Sequence, residues 1–442
     1  MKIPASSRPI TRGRLIRRTA ATVAAAAVAI SLAACSAGGS GSSSSAITAW
    51  STTADKPNIQ PSIATWNKAH PDQKITDSYF GTNDFKDKIR TAINSPQAPT
   101  LVYNWGGGTL KSYVKAGLVK DLSSDLKSDT SFTHKIVPSI ADTGKVNGKT
   151  YAIPASSTAP VVLYMNKDVL QKAGISEAPA TWDDLLKDVK KLRAAGVAPI
   201  SLGGQSKWPY LMYIEYLVDR IGGPAPFQAI LDNKPNAWSD PAVIQATTMI
   251  QQLIKAGGFA DGFASVSADT NADLALMVTG RAGFLLQGTW AYSGISSIDP
   301  NFVKSGKLEV APFPAVSGGK GDPEDIAGNP SVYWSVSSKA SAAQTKAALQ
   351  YVTKSVWSDS YVNTMIGQGQ IPPVTGVSSK LKGDFAKQAE QMITDAPHFQ
   401  QSWDLALSPA ASTEFWTQLD LLFNQSETPK QFSDHMNTTI GK

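Results

Sequence analysis

LYMNKDVLQKAGISEAPATWDDL, residues 163–185, is the most specific stretch of this 442-residue chain. Within it Thr181-Trp182-Asp183-Asp184 has the pattern of a helix start. A threonine hydroxyl can accept the N–H of the third helical residue while an acid there reaches back, so Thr181 is the expected N-cap and Asp184 the N3 partner. The helix is expected to run to about residue 195. Upstream of it, strand and helix alternate. Residues 46–50, 74–79, 100–103 and 151–153 read as strands, and 59–70, 84–94 and 110–116 as helices. Downstream helices dominate, at 209–221, 241–256, 340–357 and 412–423. The pattern is α/β, with sheets covered by helices.

The N-terminus has a separate logic. Lys2, Arg8, Arg12, Arg14, Arg17 and Arg18 precede an apolar run at 19–34 that is too short to span a membrane and ends in small residues. Residues 1–34 are therefore expected to be a signal peptide. Leu32-Ala33-Ala34-Cys35 resembles a bacterial lipobox, and the only cysteine, Cys35, is expected to carry the lipid. Two or more acyl chains give stable attachment. The glycine/serine run after it, to residue 45, cannot bury enough apolar surface to order itself and reads as a tether. The export route, general secretory or twin-arginine, stays open. The expected location is the outer face of the cell membrane.

Charge is informative once the leader is set aside. The formal charge of +6 comes from 41 bases against 35 acids, and the leader holds six bases and no acid, so the mature chain is neutral. Nothing in it argues for nucleic acid or for an anionic membrane surface. About 400 residues remain, more than one ordinary core accommodates. With no second cysteine the cores must be held by packing alone.

Motifs for chemistry are weak. Thr143-Gly144-Lys145-Val146-Asn147-Gly148-Lys149-Thr150 comes near a P-loop, but it lacks the first glycine and leads into a strand rather than a helix, so it reads as a turn. His70, His134, His398 and His435 make no ligand pair, and no metal or other cofactor is expected. Acid pairs at Asp183-Asp184 and at Asp322, Glu324 and Asp325 fit a helix start and a polar loop. An exported glycan-degrading enzyme would need an acid and a nucleophile or base about 5 to 9.5 Å apart in one cleft. That class, and a structural adhesin, remain as alternatives to a binding protein.

Aromatic residues point elsewhere. Of the eleven tryptophans, Trp66, Trp182, Trp238, Trp357 and Trp416 lie in or beside helical patterns and are expected in the core. Trp50, Trp105, Trp208, Trp290, Trp334 and Trp403 instead lie at strand or loop ends beside amides, glycines and prolines. An indole offers a flat apolar face and one donor, which suits a sugar ring. Several such platforms with few bases nearby favour a neutral di- or oligosaccharide. Gly288 is expected to let a ligand approach the backbone, and an extended chain would turn Trp290 and Tyr292 to one side.

The opening stretch resembles the "YNKDLFKKAGL…PPKTWDEL" signature of bacterial extracellular solute-binding proteins, the family that includes maltose-binding protein. Residues 144–154 resemble its "DGKVYGIP" segment and residues 277–284 its "F-x-x-G-K-A-A-M" segment before Gly-x-Trp. Departures are Pro99-Thr100, where the family usually has Pro-Asp, and Met165 in place of a tyrosine. The resemblance implies a two-lobed periplasmic-binding-protein-like α/β fold, with hinge strands and a ligand cleft between the lobes. It implies lobe 1 at 46–153 and 327–368, lobe 2 at 154–326 and 369–442, and hinges near 152–156 and 327–330. On matched segments, the ligand-binding residues are expected to be Trp50, Asn83, Asp84, Asn104, Trp105, Trp208, Tyr210, Trp290, Asn329, Trp334 and Trp403. No residue is expected to be catalytic. The implied partners are the permease subunits of an ABC transporter and a sugar of the xylo- or gluco-oligosaccharide kind, bound by a monomer.

Overall fold

The computed structural model describes residues 45–127 and 135–441. The leader, Cys35, most of the tether and His134 lie outside them. Among the described residues thirteen strands form three sheets, two of which define the lobes. The first-lobe sheet uses β1 (Ile47–Thr52), β2 (Ile75–Phe80) and β3 (Leu101–Asn104). A two-residue-strand hairpin, β4 (Lys145–Val146) and β5 (Lys149–Thr150), stands apart, and β6 (Ile153–Pro154) ends the first pass through this lobe. The second-lobe sheet uses β7 (Ala159–Asn166), β8 (Ala198–Ser201), β9 (Ala282–Gly288), β10 (Leu308–Ala311) and β11 (Ile326–Asn329). The chain then returns through β12 (Tyr333–Val336) to the first sheet and finishes the second with β13 (Phe399–Gln401).

Order in the first sheet is β2-β1-β3-β12-β6, the first three parallel and the last two antiparallel to their neighbours. Helices Lys56–Ala69 and Thr82–Ala92 connect the three parallel strands, since a parallel pair needs a crossover, and helix Gly107–Lys115 follows the end of β3. In the second sheet β13-β11-β7-β9-β8 run side by side, with β10 also on β7. All eight residues of β7 are buried. Val161, Leu163 and Met165 point into one apolar core and Val162 and Tyr164 into another, so helices cover both faces of this strand.

Local signals explain much of this. Thr181 and Asp184 form the expected capping box, the Asp184 N–H donating to Thr181 Oγ1 at 3.2 Å, and the helix runs Trp182–Ala194. Asn147 and Gly148, at φ 50° and 75°, make the tight turn of the β4–β5 hairpin, so the near P-loop is a turn, with no helix N-terminus behind it. The expected helix at 340–357 is divided: Ala342–Tyr351 is followed by a π-turn at Val352–Val356.

Crossing points between lobes differ from those expected. Residues 326–329 belong to the second sheet, bonded to β13 and β7, so the return to the first lobe begins after Asn329 rather than at 327. It also runs well past 368. Ile371, Val374, Val377 and Leu381 are buried in the first core, and Ile371 and Val374 bridge to Thr158 and Ile136. Helix Asp384–Asp395 straddles the lobes, placing Ala386 and Ala389 in the first core while Phe385 and Met392 pack on the second. The two hinge passages are tied together: Ser331 Oγ donates to the Ser156 carbonyl at 2.8 Å, and the Ala155 N–H to the Val332 carbonyl at 2.7 Å.

A third contact lies at residues 403–407. Trp403 and Leu407 enter the second core and Leu405 the first. The N-terminus of helix Gly107–Lys115 is pressed onto this segment: a Cβ built on Gly108 would lie 1.9 Å from the Leu407 carbonyl oxygen, and one on Gly107 2.4 Å from that of Leu405. Only glycine allows that approach.

Candidate functional site

A cavity of about 920 Å³ opens between the lobes, lined from both sheets and from the hinge passages. Three indoles reach it. Trp105 follows β3 and is 9% exposed, edge-on to Tyr103 with ring centroids 5.0 Å apart. Trp208 and Trp290, both half-buried, come from the second lobe with centroids 6.2 Å apart and planes at 60°. Asn329, at the end of β11, also lines the cavity.

Seven other expected positions are used differently. Trp334, 1% exposed, lies on a strand paired on both sides and packs in the first core. Trp403 is fully buried, stacked on Phe227 at 4.2 Å with planes 2° apart. Tyr210 is likewise fully buried, stacked on Phe423 at 4.1 Å. Asn104 spends its amide on the fold: its Nδ2 donates to Ser335 Oγ at 3.0 Å, and its Oδ1 accepts the Gly106 N–H at 3.0 Å. Trp50 packs edge-on to Phe80 at 5.3 Å against the first core, and Asp84 is exposed on helix Thr82–Ala92. Asn83 does not line the cavity, yet it crosses the cleft, its Nδ2 donating to the Ser206 carbonyl at 3.1 Å.

Two expectations near Gly288 fail for one reason. A Cβ on Gly288 would lie 2.1 Å from the Trp290 ring, so the space left by glycine is filled by the tryptophan itself. The chain beyond is helical, not extended, from Ala291 to Ile298. Tyr292 therefore turns away from Trp290 and stacks on Phe385 at 4.0 Å, while still lining the cavity.

Polar groups from distant parts of the chain complete the lining. Asp55 accepts from Ser156 Oγ at 2.7 Å, from Tyr103 and from Thr52; burial pushes its carboxyl up, and these hydroxyls oppose the shift. Asp273 is fully buried and raised to about 6, chiefly by desolvation, although Gln287 Nε2 and the Leu274 N–H donate to it at 3.1 and 2.9 Å. Gln370 accepts from Asn58 Nδ2 at 2.7 Å. Sequence reasoning missed these groups. Gln287 alone left a local mark, a lone amide in the buried strand AGFLLQG.

The lining, more apolar than polar by area, carries among the described residues four carboxylates (Asp55, Asp269, Asp273 and Asp404) and two cations, Lys86 and Lys304, and no arginine or histidine. Lys86 Nζ is paired with Asp404 at 2.7 Å and sits 4.3 Å from the centroid of the Trp416 ring. The cavity thus pairs apolar platforms with hydrogen-bonding groups and offers no concentrated positive charge for an anion.

Known proteins place this arrangement. A solved structure from work on xylan utilization by the thermophilic bacterium Caldanaerobius polysaccharolyticus superposes with a TM-score of 0.80 at 27% identity, over 90% of this chain and 100% of that one. A chitin oligosaccharide binding protein shares the fold with a TM-score of 0.79 at 23% identity, over 89% and 97%. A probable sugar-binding periplasmic protein of Brucella suis is 27% identical over 220 residues, 50% of this chain and 48% of that protein. An uncharacterized ABC transporter extracellular-binding protein of Pyrococcus horikoshii is 27% identical over 258 residues, 58% and 57%. The chain spans about half the length of the curated relatives it matches. The model of the bacterial extracellular solute-binding proteins matches residues 49–356, more than half of the chain, and the two lobes around one cleft are its architecture; the chain belongs to that family.

Proposed function

We propose that this chain is the sugar receptor of an ABC importer, closing its lobes on a neutral di- or oligosaccharide, with xylo-oligosaccharides preferred and gluco-oligosaccharides next. One observation carries the reading. Trp105 on one lobe and Trp208 with Trp290 on the other face a cavity of about 920 Å³ whose inner cation, Lys86, is already neutralised by Asp404. Sugar rings lose apolar area on such faces, while amides and carboxylates take their hydroxyls. The relative from the xylan-utilization work and the sugar-binding protein named in Brucella support this choice. In this reading lipidated Cys35 holds the receptor at the outer membrane face, the tether gives it reach, and permease subunits take the sugar from it.

A thermal-shift panel tests the ligand. Xylobiose, xylotriose, cellobiose, maltose and chitobiose are compared with xylose and xylose 5-phosphate. A bound sugar at 100 times its Kd stabilises the fold by about 2.7 kcal/mol. The expected result is a shift with one of the neutral oligomers and none with the phosphate. A shift with the phosphate alone overturns the proposal, as does release of monosaccharide from the bound oligomer, which would indicate a hydrolase.

A further inference from the structure

We infer that Asp269 is a positioning residue that holds the Trp208 indole in its sugar-facing plane; this rests on the sugar-binding function proposed above. The starting point is the backbone beneath Trp208. Lys207 has φ 62° and ψ −43°, and the Trp208 N–H closes a three-residue turn onto the Ser206 carbonyl at 2.7 Å. A side chain other than glycine pays for this conformation, which lies outside the ordinary left-handed basin, and it persists only where the surroundings hold it.

The surroundings form a ring. Ser206 Oγ accepts the backbone N–H groups of Ala268 and Asp269 at 3.1 and 3.2 Å, fastening the turn to the neighbouring loop. The Asp269 carboxylate then reaches back, its Oδ1 accepting the Trp208 indole N–H at 3.1 Å. Lys207 Nζ is fixed outward on Asp420 at 2.9 Å. Backbone, loop and indole are therefore determined together. Two consequences follow for a sugar. The indole cannot pivot about its side-chain torsions, and its single donor is already used, so Trp208 offers only an apolar face. It stands at 60° to Trp290 and half-buried, a platform set before any sugar arrives.

The same ring meets the other lobe. Asn83 Nδ2 donates to the Ser206 carbonyl at 3.1 Å, the oxygen that also accepts from Trp208. Asp269 lies beside Gly81, where an added Cβ would be 3.8 Å from its Oδ2, at the N-terminus of helix Thr82–Ala92, whose partial positive charge favours a carboxylate. Lobe contact thus falls on the groups that aim Trp208.

The test uses Asp269→Ala and Asp269→Asn in the full mature chain, with Trp208→Phe as reference. In sugar-free protein, coupling between the Trp208 and Trp290 indoles contributes a circular-dichroism couplet, isolated as the wild type minus Trp208→Phe difference. Asp269→Ala is expected to lose that couplet, and to weaken xylobiose binding about tenfold, as loss of a charge-assisted bond would. Asp269→Asn keeps an oxygen acceptor of the same shape and is expected to restore both. In the Trp208→Phe background Asp269→Ala should change neither. A retained couplet in Asp269→Ala overturns the inference, as does an Asp269→Asn variant as impaired as the alanine. Should wild type bind no neutral sugar, the functional proposal fails while the sugar-free spectra still decide the role of Asp269.

Discussion

Trp290 and Trp403 occupy the same lobe, both beside polar residues, and the chain treats them oppositely. Trp290 is half-buried over Gly288 at the cavity wall. Trp403 is enclosed by Phe227, Trp238 and Phe415, with centroids 4.2, 5.7 and 5.8 Å away. What separates them is the next layer. Helix Pro409–Phe423 folds back over residue 403 and seals it, whereas Trp290 stays half-buried in the cavity lining, with Trp208 as its aromatic neighbour at 6.2 Å. An aromatic at a loop end becomes a platform only where no later element closes over it.

The largest test of that contrast is Trp403→Ala. Truncating a core tryptophan costs about 3–5 kcal/mol. Thermal melting should collapse, with any loss of sugar affinity explained by the unfolded fraction; an unchanged melting temperature would put Trp403 outside the core.

Carboxylates repeat the contrast between enclosed and open positions, with an effect of intermediate size. Asp273 is fully buried at the cavity wall and Asp219 is buried beside Arg220, and desolvation raises each to about 6 from 3.8. A carboxyl raised on folding favours the folded state below its unfolded value, and that contribution disappears as pH climbs through about 6. Each is worth at most about 3 kcal/mol between pH 4 and 7. Asp273→Asn should therefore flatten part of the fall in stability from pH 4 to 7 and leave the share of Asp219. A denaturation series with the same pH slope in both proteins would show that Asp273 is not held up by burial.

Trp290→Ala gives the smallest change. Xylobiose affinity is expected to drop by about 2 kcal/mol, roughly thirtyfold, as for an interfacial aromatic anchor. Melting should shift little, and titration calorimetry at full affinity would return Trp290 to a packing role.

Sequence carried the fold further than the site. The capping box at Thr181 and the strand–helix alternation of the first lobe depend on neighbours within a few residues, and the structure has both. Trp105, Trp208, Trp290 and Asn329 line the cavity, while Tyr210, Trp334 and Trp403 look the same in sequence but are buried by elements far along the chain. Asp55, Asp273, Gln287 and Gln370 meet only through topology, so no spacing announces them. The resemblance implies a return to the first lobe from 327, whereas pairing with β13, some seventy residues later, keeps residues 326–329 in the second sheet.

In the proposed lobe closure the contact of Gly108 with the Leu407 carbonyl would act as a bearing. Its clearance is set by the absence of a single carbon, since a methyl there would stand 1.9 Å from that oxygen. A door hung this closely has no slack, and Gly108→Ala would be a wedge in the jamb. In the closing motion proposed above it would hold the lobes apart at the 403–407 crossing, so that small-angle scattering with sugar stays that of the open particle and binding slows, while Trp105, Trp208 and Trp290 keep their places.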